Sequence, residues 1–414
     1  MPDYSAMAVI NFSEALAVVN DHAARLSPTE PELVSLLEGL GLALAEDLVA
    51  DRDFPPFPRS TRDGYAVRAE DVAKAPAELK CIGELKAGAT EAQSLITVTP
   101  GEAVEIMTGA PVPSGADAVV MVEYTERSGS KVTVTRPVAA RENVVAAGSE
   151  ARTGDVMVAR GTRVNHVTAA IAAAVGKAEV AVHRRPQVSI LATGDEVVDL
   201  NLPPGPNEIR NSNSYSLAAQ VQAAGGNPLI LPVAHDDVND LEVLVRKGLR
   251  SDLLLLTGGV SMGKYDLVEQ VLEKLGAQFS FTGVLIQPGK PLVFGELRND
   301  GKTTPFFGLP GNPVSTMVTF QLFVRPVLGG LAGARPQAPL FAYASLKSGF
   351  GTKTGLTRFL PAYLGGTHEQ PEVELLKWQG SGDLMAMARA NCYIVVPPDR
   401  DHFEAQERIT VLPF

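Results

Sequence analysis

Only two cysteines occur in the 414 residues, and positive charge is in deficit. Cys81 and Cys392 stand in no metal-like or redox-like spacing, so no disulfide framework is expected and a reducing compartment fits. The six histidines include no H-x-x-x-H pair, which withholds support from a conventional zinc site. A basic stretch followed by an apolar one is missing near the start, where Asp3 and Glu14 stand instead, so no signal peptide is expected. Uninterrupted apolar runs fall short of the roughly 18 residues that span a bilayer. The default location is therefore cytoplasmic. Thirty-six Lys and Arg against 47 Asp and Glu give a net charge of -11 and a pI of about 5.2. That balance argues against a nucleic-acid or anionic-membrane binder, and leaves room for a small anion in a locally positive pocket.

What is present reads as a multidomain α/β plus β chain, since its length exceeds what one core supports. Residues 8–50 read as two helices, with Thr29 and Glu32 as a capping box ahead of Leu33–Leu42. The prolines at 55, 56 and 58 end that pattern. Short strands at Leu79–Leu85, Gly101–Met107, Ala118–Tyr124 and Lys131–Pro137 make 51–139 a small β-rich inserted domain. Residues 1–50 and 140–185, with a helix at Thr168–Val175, are expected to form one discontinuous mixed domain around it. Between 186 and 330, strands (Gln187–Ala192, Pro228–Pro232, Leu253–Thr257, Val284–Ile286, Phe306–Leu309) alternate with helices (Tyr215–Ala224, Val238–Leu249, Asp266–Leu275). This rhythm predicts a central parallel sheet covered on both faces, with ligands at the carboxyl ends of its strands. Residues 331–414, with Leu340–Leu346 and Cys392–Val396, read as a C-terminal β-barrel-like domain.

Four loops fall where that pattern places strand ends. They are Thr193-Gly194-Asp195-Glu196, Thr257-Gly258-Gly259-Val260-Ser261-Met262-Gly263, Gln287-Pro288-Gly289-Lys290-Pro291 and Leu309-Pro310-Gly311-Asn312-Pro313. Glycine lets backbone N–H groups approach a ligand, and the second loop leads into a helix start suited to phosphate. Neither a G-x-G-x-x-G nor a G-x-x-x-x-G-K-[ST] string occurs, which excludes the usual dehydrogenase and P-loop signatures. Asp195, Glu196, Asp236, Asp237, Asp252 and Asp266 accompany the loops, an oxygen-only set suited to magnesium. Helix capping is the competing reading for Asp236, Asp237 and Asp266.

Taken together, D-G-Y-A (63–66), M-T-G-A-P-V-P (107–113), T-G-D-E (193–196), G-G-V-S-x-G (258–263), P-G-K-P (288–291) and G-L-P-G-N-P-V-S (308–315) occur in the order seen in the MoeA and gephyrin E-domain family. The segment Q-G-S-G-D-L-M-A-M-A-R-A-N (379–391) is similar to that family's C-terminal domain. The resemblance runs from about residue 8 to the end. It implies a molybdopterin molybdenumtransferase, taking adenylylated molybdopterin and molybdate with Mg2+ and releasing AMP. It also implies a homodimer whose active site lies between the α/β domain of one subunit and the β-rich domain of the other. Transient contact with a molybdopterin adenylyltransferase and with apo-molybdoenzymes is a further implication.

On that resemblance Asp63, Thr108, Glu196, Asp236 or Asp237, Asp266 and Lys290 are the catalytic candidates, and Glu150 stands where an acidic residue is common. Glu196, Asp236, Asp237 and Asp266 would hold the metal. Thr193, Gly194, Asp195, Gly258, Gly259, Ser261, Gly263, Pro288, Gly289, Pro310, Gly311, Asn312, Pro313, Arg358 and Ser381 would line the pterin and phosphate site. Gly283, Gln287 and Pro361 replace basic residues common in the family, and whether Arg358 substitutes stays open. Those losses favour an alternative, a catalytically reduced molybdopterin-binding scaffold or carrier. A tungstate-inserting relative would carry the same motifs.

Overall fold

The computed structural model describes residues 9–90, 95–259, 267–299 and 301–414. The chain divides into two units: Met1–Ala45 with Gly161–Val164 and Ala181–Phe414, and Glu46–Arg160 with Asn165–Val180.

The larger unit is organised by a six-stranded sheet whose spatial order is Asn227–Ile230, Gln187–Ala192, Leu253–Thr257, Lys302–Leu309, Val293–Asn299, Gln278–Phe281. The first four strands are parallel, and each of the last two pairs antiparallel with the strand before it. Leu253–Thr257 shows why the sheet is buried on both sides. Successive side chains alternate between faces. Accordingly Leu253 and Leu255 enter one apolar cluster with Leu217, Val318 and Phe323, and Leu254 and Leu256 enter the other with Leu244 and Leu272. Each fully buried leucine contributes about 1.5–3 kcal/mol. Helices Phe12–Arg25, Ser212–Ala223 and Pro313–Thr319 supply the first cluster, and Val238–Gly248 and Leu267–Lys274 the second.

The helical run Pro313–Leu331 is, among the described residues, the one helix long and apolar enough to cross a membrane. Most of it is buried, and its apolar side chains belong to the core of the sheet.

Two expectations fail in this unit. The first helix forms as read: Asn11 accepts the Glu14 N–H at 2.9 Å, and Ala15, Val19 and Ala23 bury one stripe. The second does not form. Pro31–Ser35 is a strand followed by turns, and the Thr29 hydroxyl donates to the Arg184 carbonyl at 2.6 Å in place of capping a helix. Leu33 and Leu37 are 64% and 76% exposed, so their stripe has no core to bury. The expected strand Val284–Ile286 also leaves the central sheet. Gly283–Val284 pairs with Val9–Ile10, and Ile286–Gln287 pairs with Thr357–Arg358.

The C-terminal strands close into a barrel in the order Thr357–Gly366, Pro371–Leu375, Ala342–Leu346, Arg408–Pro413, Cys392–Val396, the last returning to the first. Closure leaves no free edge and wraps Leu346, Ala362, Val373, Ile394 and Val411.

In the second unit a six-stranded sheet runs Ala118–Met121, Gly64–Val67, Glu102–Ile106, Ala77–Leu85, Lys131–Val134, Thr125–Ser128. Its two faces bury Tyr65, Val67 and Val132 on one side and Ala66, Val104 and Ile106 on the other. The helix His166–Ala174 starts at Asn165, whose side chain accepts the Val167 and Thr168 N–H groups.

Candidate functional site

In the larger unit the parallel strands deliver their loops to one sheet edge, side by side. The chain passes from Gln187–Ala192 outward to Asn227–Ile230, then back across to Leu253–Thr257, so strand order reverses between the first and third. Open α/β sheets bind ligands at such a reversal, which here falls between the loops at Thr193 and Gly258. Thr193 N–H donates to Thr257 O at 3.0 Å, and Gly194 N–H donates to Ala234 O at 3.2 Å. Gly258 has φ +88°, and a Cβ there would lie 2.4 Å from Thr193 O, so only glycine fits this close approach. Asn213 Nδ2 donates to Thr257 Oγ1 at 3.1 Å and to Gly311 O at 2.7 Å, joining the second and fourth loops. Thr316 Oγ1 donates to Pro310 O at 2.6 Å.

The fourth loop enters the helix Pro313–Thr319 with proline in its first turn, where the missing N–H costs nothing. Val314 N–H donates to Ser381 O at 2.9 Å, which brings Ser381 to this loop. The Pro288–Lys290 turn reaches the same edge by a different route. It precedes Val293–Asn299, which is antiparallel, and Val293 lies opposite Gly308 at the carboxyl end of its neighbour. Pro288 and Gly289 are buried, the glycine against Thr319, while Lys290 is exposed. Arg358 is in register with Gln287 and buried, its Nε donating to Lys353 O at 2.9 Å. Pro361 is three residues further along that strand and so on its opposite face. Gly283 packs against Val9, whose Cγ2 would sit 3.0 Å from an added Cβ.

The acidic candidates have distinct local roles. Asp195 Oδ1 accepts the Asp236 N–H at 3.2 Å and lies 3.3 Å from His235 Nδ1. Glu196 folds back over Gly194, its Oε2 2.6 Å from where a Cβ would be. Asp237 caps Val238–Gly248, accepting from Asn239 and Asp240 N–H groups. Asp252 is not at this edge. It stands at the amino end of Leu253–Thr257, bound to Arg184 and Lys302 at 2.7 and 3.1 Å. Burial opposes its charge, but these cations and the Gln187 N–H outweigh that and lower its pKa. Ser261, Gly263 and Asp266 lie outside the described residues. No group of three or more His, Cys, Asp or Glu placed to hold a metal ion occurs among the described residues.

Thr193 Oγ1 is buried without a hydrogen-bond partner among the described residues, 2.6 Å from where a Cβ on Gly259 would sit. An unsatisfied buried hydroxyl costs about 1–3 kcal/mol unless a ligand engages it. Sequence reasoning named Thr193 but missed Asn213; its signal was the polar run Asn211-Ser212-Asn213-Ser214 opening a helix.

In the second unit the 63–66 and 107–113 motifs are in contact. Thr108 donates both its N–H and its hydroxyl to Asp63 Oδ1, at 2.6 and 2.7 Å. Those two bonds, the N–H first, hold the Asp63 carboxyl below the usual carboxylate range. Gly109 N–H donates to Ser60 O at 2.8 Å and Ser60 N–H to Ala110 O at 3.0 Å, zipping the two loops together. A Cβ on Gly64 would collide with Val120 O at 1.9 Å. Glu150 accepts from Arg59 Nη2 at 2.9 Å in the same unit.

Comparison with known proteins covers the chain in three blocks. Residues 10–176 match the MoeA N-terminal region (domain I and II), 189–330 a probable molybdopterin binding domain, and 343–414 the MoeA C-terminal region (domain IV). A Bacillus subtilis protein named molybdopterin molybdenumtransferase is 36% identical over 395 residues, covering 92% of this chain and 90% of that protein. One of the same name from Nostoc is 34% identical over 406 residues, covering 93% and 89%. The crystal structure of the molybdopterin biosynthesis MoeA protein from Pyrococcus horikoshii aligns over 98% of this chain and 100% of that one, with a TM-score of 0.79 at 29% identity.

Proposed function

Because the chain belongs to the MoeA family, whose Bacillus subtilis and Nostoc relatives are named molybdopterin molybdenumtransferase, we propose that its crowded sheet edge inserts molybdate into adenylylated molybdopterin with release of AMP. The observation that carries this reading is the convergence of the Thr193, Ala234, Gly258 and Pro310 loops at a strand-order reversal. Such an edge, with a glycine cradle and an orphaned hydroxyl, suits an extended ligand bearing phosphates.

In this reading backbone N–H groups of the Gly258-Gly259 turn hold phosphate oxygens, and Thr193 Oγ1 donates to the same ligand. Pro310 to Pro313 and Ser381 flank the pterin. Lys290, with Arg358 beside Gln287, offsets the charge of the incoming oxyanion. Since Arg358 and Pro361 face opposite ways, Arg358 stands in for the cation missing at Gln287 and not for the one missing at Pro361. Glu196, Asp236, Asp237 and Asp266 are the oxygen donors proposed for Mg2+, although the three described ones are not gathered into a metal-holding group in this chain and would have to converge on binding. Magnesium, when bound, would neutralise the phosphoanhydride and ease departure of AMP.

Asp63, kept ionised by Thr108, is proposed to act across a homodimer on the edge of the partner subunit. The four-domain partition at 1–50 with 140–185, 51–139, 186–330 and 331–414 belongs to the same proposal, as does a cytoplasmic location. Transient docking to a molybdopterin adenylyltransferase and to apo-molybdoenzymes is part of it too.

The test is to mix purified chain with adenylylated molybdopterin, Mg2+ and molybdate and to follow AMP by chromatography. Stoichiometric AMP and transferable molybdenum cofactor are expected. Substrate bound without AMP release would establish instead the scaffold or carrier role that Gly283, Gln287 and Pro361 favour. Competition between molybdate and tungstate in the same assay separates the two oxyanions.

A further inference from the structure

A second concave site lies at the other end of the helix Ser212–Ala223. The amino end of that helix, with Asn213, reaches the loop-lined edge; its carboxyl end opens on a cavity of about 760 Å³. Twelve residues of helix place the two ends about 18 Å apart. Arg163, Arg185, Arg325 and Arg335 line the cavity, with Asn20 and Gln222 as neutral donors. No Asp or Glu is among its described lining residues. In a chain of net charge -11, gathering four guanidinium groups without an acidic one runs against composition.

Arg163 fixes the geometry. Its Nη1 donates to Gly41 O at 2.7 Å and its Nη2 to Ala224 O at 3.1 Å, so it is anchored at the helix end. A Cβ on Gly225 would sit 2.7 Å from Nη1, so glycine there leaves room for it. Burial first, then the like charges of Arg325 and Arg185, press the Arg163 guanidinium below the usual arginine range. Arg325 and Arg185 repel Arg163 across the hollow, and an anion seated among them is attracted by all three. Arginine forks match tetrahedral oxyanions, and the volume lies in the roughly 300–1,000 Å³ range of small-molecule sites.

We propose that this arginine-lined cavity is a second ligand site, separate from the transfer edge, which takes a small phosphate-bearing anion. Its ligand is either a free oxyanion or a nucleotide presenting its phosphates, and the two share the chemistry that the guanidinium groups recognise.

Calorimetric titration of the full chain with inorganic phosphate, pyrophosphate and AMP tests this. Wild-type protein should show a binding event that Arg185→Ala with Arg325→Ala weakens at least tenfold and Lys290→Ala leaves in place. Pyrophosphate binding without AMP binding at this site assigns it to free oxyanions, and the opposite pattern to nucleotides. The exposed pair Arg185 and Arg325 is chosen so that the fold survives. If the alanine pair nonetheless lowers the melting temperature, Arg185→Lys with Arg325→Lys replaces it, with a several-fold loss expected. The proposal is overturned if no probe saturates wild-type protein at millimolar concentration, if the arginine variants bind as wild type, or if Lys290→Ala alone abolishes the event.

Discussion

At the scale of single residues, the Asp63–Thr108 pair makes the sharpest forecast. Its carboxylate takes two hydrogen bonds on one oxygen, and the backbone bond is the larger influence. Thr108→Val removes the hydroxyl and keeps the N–H, so the Asp63 pKa should rise only part of the way to its ordinary value, as followed by carboxyl NMR titration. The sign is fixed by the depressed folded pKa: the pair's stabilisation is present above the ordinary carboxylate range and disappears as pH falls through the lower folded value. If AMP release needs the Asp63 charge, the acid limb of its pH profile should move upward in the same variant. Asp63 and Thr108 were legible in the sequence because each sits in a glycine-marked turn. Asn213 was not, because an amide in the first turn of a helix reads as local capping, and its bonds to Thr257 and Gly311 span 44 and 98 residues.

At the scale of elements, two ends of one strand separate function from stability. At its carboxyl end, Gly258→Ala would force a Cβ against Thr193 O at positive φ. It should cost at least about 1 kcal/mol and abolish AMP release, checked by denaturant melts and the transfer assay. At its amino end, Asp252→Asn should cost about 2 kcal/mol by weakening charge-assisted bonds to Arg184 and Lys302, and leave substrate binding intact. Because the Asp252 pKa is lowered in the fold, its contribution holds at neutral pH and is lost as pH falls through that lowered value.

Leu253–Thr257 and Cys392–Val396 were readable to the residue because β-branched and leucine runs bounded by glycine, proline or polar residues admit little else. Gln278–Phe281 and Val293–Asn299 escaped notice. The first is short, the second carries Gly295 inside, and both depend on antiparallel partners that no local pattern announces. The missing helix after Thr29 is the converse case, a good local start with no apolar face to bury.

At the scale of the whole molecule, the proposed homodimer makes a complementation test possible. Asp63→Ala and Glu196→Ala chains, each inactive alone, should regain roughly a quarter of wild-type activity after statistical subunit exchange, because half of the mixed dimers' sites are intact. Activity no higher than that of either variant alone would rule out a site shared between subunits. The sequence carried the division into α/β and β regions, since periods of helix and strand alternate in one stretch and not in others. How pieces remote in sequence lock together was hidden in it, because the Ile286–Gln287 pairing with Thr357–Arg358 rests on two residues of backbone.

That short pairing, with the Ser381 carbonyl on Val314 N–H, bears on how such chains can be recombined. A chimaera that exchanges residues 343–414 for a relative's barrel would cut both joints. The imported strand must still receive Ile286, and the imported loop must still present a carbonyl to the buried helix. Grafts that carry 283–291 and 310–315 along with the barrel should express as folded protein, and those that transfer the barrel alone should not.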